Sequence, residues 1–136
     1  YYINALGLSY EALAISITPG LLSAALLLTN NLRDVLEDKG NNKKTTAVRL
    51  GEKCARKLLV AMIIFSALGP ILLVFFYNYE KIILCTCAAL ILPARHFKII
   101  LCEPISKRFN LMLASVGISL YLVGLLFFGV LCYGAS

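Results

Sequence analysis

Residues 58–79 read LLVAMIIFSALGPILLVFFYNY, 22 consecutive positions without one charged side chain. A helix needs roughly 20 apolar residues to cross the hydrocarbon of a bilayer, so this stretch decides the fold class. Three more uncharged runs flank it: 12–32, 82–94 and 109–136, which are 21, 13 and 28 residues long. The whole chain of 136 residues is 60% hydrophobic and 15% charged, with a mean hydropathy of +0.86. Soluble domains average about 45–50% apolar and about 25% charged. This composition excludes a disordered chain, a nucleic-acid-binding domain and most soluble enzymes. The expectation is an all-α, multi-pass transmembrane helix bundle with about four spans, near 8–30, 58–79, 82–101 and 110–133.

The placement of charge orders these spans. The net charge is +6, and twelve of the thirteen basic residues fall in two clusters. Arg33, Lys39, Lys43, Lys44, Arg49, Lys53, Arg56 and Lys57 form the first, and Arg95, Lys98, Lys107 and Arg108 the second; only Lys81 stands apart. Basic loops are retained on the cytoplasmic side. If both clusters are cytoplasmic, two crossings must separate them, and residues 58–79 and 82–101 supply two. The Tyr77–Lys81 turn, Tyr1 and Ser136 then face outward, and loop 31–57 is cytoplasmic.

The 82–94 run is too short alone, because thirteen helical residues rise about 20 Å against a core of about 30 Å. It is expected to continue through Pro93, with a kink, to about Cys102, with Arg95 and Lys98 reaching for the headgroups; a re-entrant hairpin is the less favoured alternative. Pro19-Gly20 is expected to kink the first span. Gly117 and Gly124 read as sites of close helix packing. The aromatics Phe65, Phe75, Phe76, Tyr121, Phe127 and Phe128 read as packing or lipid-facing residues. The five cysteines carry no zinc spacing and behave as small hydrophobes, and His96 reads as an interfacial side chain. The start, Tyr1-Tyr2-Ile3-Asn4, has neither an initiator Met nor a basic region before an apolar stretch, so it is not a signal peptide. It resembles the tail of a preceding helix, and the chain reads as a segment of a longer protein forming part of one domain over 1–136.

The chemistry lies in Asn30-Asn31-Leu32-Arg33-Asp34-Val35-Leu36-Glu37-Asp38, directly after the first span. Asn30, Asp34 and Asp38 are spaced i, i+4, i+8 and form one polar stripe on a helix leaving the membrane. Two carboxylates one turn apart can share Mg²⁺, which takes one or two carboxylates, keeps waters and completes its shell with substrate phosphates. Asn30 or Asn31 can add a carbonyl ligand or a donor. The cations Arg33, Lys43, Lys44 and Arg49 suit the non-bridging oxygens of an anionic group. The bland alternative is a solvated connector, since paired carboxylates at this spacing are common.

Asn30-Asn31-Leu32-Arg33-Asp34-x-x-x-Asp38, followed by Lys43-x-Thr45-x-Ala47-Val48-Arg49-Leu50-Gly51, resembles the second aspartate-rich motif of the UbiA superfamily of membrane prenyltransferases. The twin Asn and the Ala-Val-Arg-Leu-Gly ending most resemble the branch that acts on 1,4-dihydroxy-2-naphthoate in menaquinone synthesis. The likeness extends upstream through Tyr1-Tyr2, Ser9-Tyr10-Glu11-Ala12 and Pro19-Gly20-Leu21-Leu22. Two positions depart from the pattern. Asn42 stands where the family has Gly, and Asn tolerates the left-handed backbone better than most residues; Thr46 stands where it has Leu. The family's first aspartate-rich motif does not occur in the chain, which corresponds to the later part of a nine-helix bundle.

The resemblance implies Mg²⁺ as cofactor, with polyprenyl diphosphate and 1,4-dihydroxy-2-naphthoate as substrates beside membrane lipid. It implies a first aspartate-rich motif in a missing N-terminal half. It assigns metal binding to Asp34 and Asp38, catalysis to Asp34, Asp38 and Lys43, and diphosphate contacts to Asn30, Asn31, Arg33, Lys43 and Arg49. The alternatives are a noncatalytic or degenerate small membrane protein, such as a transporter or accessory subunit, and a related enzyme with another aromatic acceptor.

Overall fold

The computed structural model describes residues 9–77, 81–106 and 108–133. The outward placement expected for Tyr1, Ser136 and the centre of the Tyr77–Lys81 turn falls outside them. No strand occurs among the described residues. Helix α1 (Tyr10–Arg33) starts at Ser9, whose hydroxyl accepts from Ala12 N at 3.1 Å, satisfying one of the orphan donors of a first helical turn. It runs through Pro19 without a break and ends at Asp34. Two short helices follow, α2 (Val35–Gly40) and α3 (Thr46–Leu50). The second span is α4 (Glu52–Phe65) continued by α5 (Leu68–Tyr77). A 3₁₀ turn (Lys81–Cys85), α6 (Thr86–Ala89), α7 (Ile91–Ala94) and α8 (Phe97–Cys102) make a broken segment, and α9 (Phe109–Tyr133) closes the bundle.

Three stretches are long and apolar enough to cross a membrane: Tyr10–Arg33, Glu52–Phe76 and Phe109–Val130. The protein is an all-α, multi-pass membrane bundle. Its outer surface is apolar, with Phe65, Phe75, Phe76, Tyr121 and Phe128 all exposed, as lipid-facing positions should be. Phe127 instead packs inside with Leu73, Ile83 and Val123.

The expected fourth span differs from the other three. Its residues form short helical pieces instead of one helix, yet the segment retraces the second span. Its 3₁₀ turn packs against α5, and α8 packs against α4 at the opposite end. A re-entrant hairpin would return to its starting end, so the placement of α8 favours a crossing. The second span also begins earlier than residue 58, because Ala55 and Arg56 point inward while Glu52, Lys53, Cys54 and Lys57 keep to the outside. Arg56 is 6% exposed. It donates to Glu52 Oε1 from Nε at 3.0 Å and from Nη2 at 2.6 Å, while Nη1 donates to the carbonyls of Ile99 and Ile100. Its guanidinium lies 5.2 Å from the Phe109 ring centroid, within cation–π range. One buried cation therefore joins the second span, the broken segment and the start of α9.

Two prolines explain where the chain breaks and what repairs it. Pro70 has no N–H, so the carbonyl four residues before it, Ser66 O, loses its helical donor. Thr18 of α1 supplies one, with Oγ1 at 2.7 Å from Ser66 O. Pro93 likewise strands Ala89 O, and Ser119 of α9 donates to it at 2.6 Å. Thr18 and Ser119 are both fully buried. Lipid offers no water to a stranded carbonyl, so each break is viable because a neighbouring span brings a hydroxyl to it. The glycines divide in the same physical way. A Cβ on Gly69 would lie 2.3 Å from Thr18 Oγ1 and 3.0 Å from Ala14 O, so α1 and α5 touch there. Gly117 and Gly124, expected to allow close packing, do not: a Cβ would meet Leu26 Cδ1 at 3.9 Å in the first case and nothing within 4 Å in the second.

Candidate functional site

Loop 31–57 is largely helical rather than open. Asp34 is the C-cap of α1, with φ −97° and ψ 9°, so the polar stripe bends there instead of continuing in one straight helix. Its register survives the bend. Asp34 N donates to Asn30 O at 3.1 Å, Asp38 N to Asp34 O at 2.9 Å, and Lys43 N to Asp38 O at 2.9 Å. These steps carry the backbone from Asn30 through both aspartates to Lys43. The return toward α3 passes through Asn42 at φ 54°, and α3 itself ends at Gly51 at φ 76°. Both lie in the left-handed region that L side chains enter at a cost. Asn42 thus adopts the conformation for which glycine is the easier residue.

The expected site residues fall into three groups. Arg33 and Asp34 form a bidentate pair: Nε donates to Oδ1 at 2.7 Å and Nη2 to Oδ2 at 2.8 Å. The same arginine donates from Nη1 to Asn110 Oδ1 at 3.3 Å. The Arg33 hydrogen bonds hold the Asp34 carboxyl below the usual carboxylate range, and Lys43 lowers it further through space. The second group is Asp38 and Lys43, with Nζ 3.4 Å from Oδ1. Asp38 is only 6% exposed, while the lysine is mostly in the open. The field of Lys43 at both aspartates makes the two pairs one charge cluster.

The third group is uncommitted. Asn30 and Asn31 are half-buried in the last turn of α1, and their side chains make no hydrogen bond among the described residues. The Arg49 side chain is exposed on α3 and makes no ion pair or hydrogen bond there either, so it is not drawn into the cluster. Thr45 precedes α3 as its N-cap, yet its Oγ1 is buried without a partner. A stranded buried hydroxyl is unusual in a folded chain, and this one lies in the same loop as the two aspartates.

The donor set fits a Mg²⁺–phosphate site in kind. Two carboxylates, two free carboxamides and a stranded hydroxyl supply hard oxygens, and Arg33 and Lys43 supply charge for phosphate oxygens. Among the described residues no group of three or more His, Cys, Asp or Glu could hold a metal ion. The loop offers part of a coordination shell, which suits an ion that takes one or two carboxylates from a protein.

Both basic clusters meet at this end of the bundle. Arg33 reaches Asn110, Arg56 reaches Ile99 and Ile100, and Arg108 pairs with Glu103 at 3.1 Å. That agrees with two crossings between the clusters. Arg56 and Asn110 were not singled out by sequence. Arg56 is one basic residue among eight in a stretch whose charge reads as loop; Asn110 is the first polar residue, and the one carboxamide, in the uncharged run 109–136, which is a usable signal. His96 lies half-buried with Nδ1 3.1 Å from Leu92 O, and Cys54, Cys85, Cys87 and Cys102 are free thiols; none joins the cluster.

A multi-pass helical bundle with a charged, oxygen-rich loop where a span leaves the lipid defines an integral membrane protein whose polar site sits at the membrane boundary. Residues 2–108 match the UbiA prenyltransferase family, and the chain belongs to it. The chain is similar to the 1,4-dihydroxy-2-naphthoate octaprenyltransferase of Mycobacterium leprae, with 35% identity over 72 residues covering 53% of this chain and 24% of the relative. It is similar to that of Bacillus subtilis, with 33% identity over 92 residues covering 60% and 30%. It is also similar to that of Haemophilus influenzae, with 29% identity over 132 residues covering 93% and 41%. The chain thus spans less than half the length of these relatives. No solved structure matches it.

Proposed function

We propose that this chain is the later part of a Mg²⁺-dependent membrane prenyltransferase, one domain over 1–136 as far as the chain extends. In this reading the enzyme transfers a polyprenyl group from polyprenyl diphosphate to 1,4-dihydroxy-2-naphthoate in menaquinone biosynthesis; diphosphate leaves the prenyl carbon, the ring carboxylate leaves as CO₂, and the demethylmenaquinone skeleton results. The observation that carries it is the Asn30–Asp34–Asp38–Lys43 backbone sequence, which sets two carboxylates and two cations in one cluster at the end of a span. The names of the similar proteins support the acceptor.

Asp34 and Asp38 would hold Mg²⁺, with Asn30 or Asn31 as a further oxygen ligand or a donor. A Mg²⁺ ion held there would supply charge neutralisation of the diphosphate and so a better leaving group. Lys43 and Arg33 meet the non-bridging oxygens, and Arg49 lies further out as a supporting cation. The apolar span walls receive the isoprenoid tail, where each buried CH₂ is worth about 0.8 kcal/mol. A lipid substrate with a charged head explains why such a site belongs at a membrane boundary. We place the loop on the cytoplasmic face of the cell membrane from the charge bias. A first aspartate-rich motif, outside these residues, completes the metal site.

A second reading is favoured by one observation: both aspartates already have basic partners. In it the loop is a self-neutralised connector, and the chain belongs to a noncatalytic or accessory membrane protein. The full-length protein, supplied with polyprenyl diphosphate, Mg²⁺ and either 1,4-dihydroxy-2-naphthoate or 4-hydroxybenzoate, distinguishes the cases. A prenylated naphthoquinol product with the first acceptor is expected. Product with 4-hydroxybenzoate alone transfers the assignment to another acceptor, and no product with either supports the accessory reading.

A further inference from the structure

Successive residues of α9 hold two arginines from other parts of the chain. Phe109, fully buried, carries the Arg56 guanidinium 5.2 Å from its ring centroid, and Arg56 is tied in turn to Glu52, Ile99 and Ile100. The first turn of α9 is therefore anchored from two sides. Asn110 projects from that anchored turn, and its Oδ1 accepts from Arg33 Nη1 at 3.3 Å across 77 residues of sequence. The other face of the Arg33 fork, Nε and Nη2, covers both oxygens of Asp34. A planar guanidinium has a fixed donor geometry, so gripping Nη1 fixes where Nε and Nη2 point. Both carboxylate oxygens offered to a cation are in this arrangement already occupied by Arg33.

We propose that Asn110 is a positioning residue that holds Arg33 on the Asp34 carboxylate, so that a divalent cation gains Asp34 only when Arg33 leaves it for the anionic head group. Arg33 is then exchanged between two anions instead of standing permanently at either, and Asn110 sets the balance. The cation half of this inference rests on the reading of Asp34 as a metal ligand; the hold of Asn110 on Arg33 does not.

The test uses the full-length protein in detergent, without substrate, as Asn110→Ala and Asn110→Asp. Two quantities are read: the rate at which phenylglyoxal modifies Arg33, by peptide mass spectrometry, and Mn²⁺ affinity, by electron paramagnetic resonance. Asn110→Ala is expected to raise both by about threefold or more, the scale of one partly exposed hydrogen bond to a charged group. Asn110→Asp keeps an acceptor and is expected to leave Arg33 no more reactive than in the wild type. In an Arg33→Ala background, Asn110→Ala is expected to change Mn²⁺ affinity no further. An unchanged Arg33 modification rate in Asn110→Ala overturns the proposal. So does an affinity shift that persists without Arg33, which would mark a general structural role. If Arg33 becomes more reactive while Asp34→Ala leaves Mn²⁺ binding intact, the metal-ligand reading fails and the hold on Arg33 stands. If Asp34→Ala removes binding but Asn110→Ala leaves affinity unchanged, the exchange itself is overturned.

Discussion

Lys43 and Asp38 are joined twice: Lys43 N donates to Asp38 O at 2.9 Å, and Lys43 Nζ lies 3.4 Å from Asp38 Oδ1. The first bond fixes where the lysine leaves the backbone, and the second neutralises a carboxylate with little access to water. Removing the lysine strands that charge, which costs more than an exposed pair is worth. Lys43→Ala in the full-length protein is therefore expected to lower thermal stability by about 1–2 kcal/mol as well as turnover, and Lys43→Arg to recover most of the stability. Thermal unfolding in detergent reads the first effect and prenyl transfer the second. Unchanged stability in Lys43→Ala would show that Asp38 finds another partner.

Thr18 with Ser66 and Ser119 with Ala89 are expected to behave as proline-dependent pairs. Thr18→Val and Ser119→Ala should each cost about 0.6–1.7 kcal/mol, the scale measured for hydrogen bonds between spans. The cost should shrink when the N–H is restored, in Thr18→Val with Pro70→Ala and in Ser119→Ala with Pro93→Ala. Double-mutant cycles on unfolding free energy measure this coupling. Strictly additive effects would mean that the hydroxyls stabilise the bundle independently of the proline breaks.

Gly69 and Gly117 should respond oppositely to the same methyl group. Gly69→Ala collides with Thr18 Oγ1 and the Ala14 carbonyl and is expected to destabilise by about 1–3 kcal/mol. Gly117→Ala has room, with its nearest neighbour at 3.9 Å, and should be neutral or stabilise by up to about 1 kcal/mol through helix propensity. Melting temperatures of the two variants check the contrast.

Three of the four expected spans were legible because charge-free length is a property of composition, and the left-handed turn at Asn42 was legible from the resemblance, which sets Asn, a residue tolerant of that backbone, where the family has Gly. The one-turn register of Asn30, Asp34 and Asp38 was also legible from spacing, although the bend at Asp34 was not. What stayed hidden depends on contacts between distant parts of the chain. Pro93 announced a kink, but the 3₁₀ turn and short helices around it require Ser119, 30 residues away, to satisfy Ala89 O. Arg56 reads as one more loop cation until Glu52, Phe109 and two carbonyls gather around it. Gly69 is indistinguishable from Gly117 in an apolar run, because closeness to another span is not encoded in local pattern.

The Asp34 carboxyl is held low by Arg33, which fixes the sign of its pH dependence. A depressed carboxylate favours the folded state while it is ionised, so its contribution is complete above the ordinary carboxylate value of about 3.9 and fades as pH falls through the lower folded value. Wild-type stability should carry this contribution in full, without pH dependence from this group, between about pH 5 and 7 and begin to lose it below about pH 4. Asp34→Asn should lack that acidic loss, and because the pair is a third exposed, added salt should weaken it. Melting temperature against pH for both forms is the measurement.

The central claim is that Asp34 and Asp38 act together on a metal and a diphosphate. Its most direct test is Mg²⁺-dependent turnover of the full-length protein as Asp34→Ala and as Asp38→Asn, with each variant's melting temperature measured alongside. The account predicts that each falls by at least about 100-fold, the scale on which removing one electrostatic contact to the transition state is felt, while the protein remains folded. Turnover within about twofold of wild type in either folded variant, a difference worth only about 0.4 kcal/mol of barrier, would contradict it.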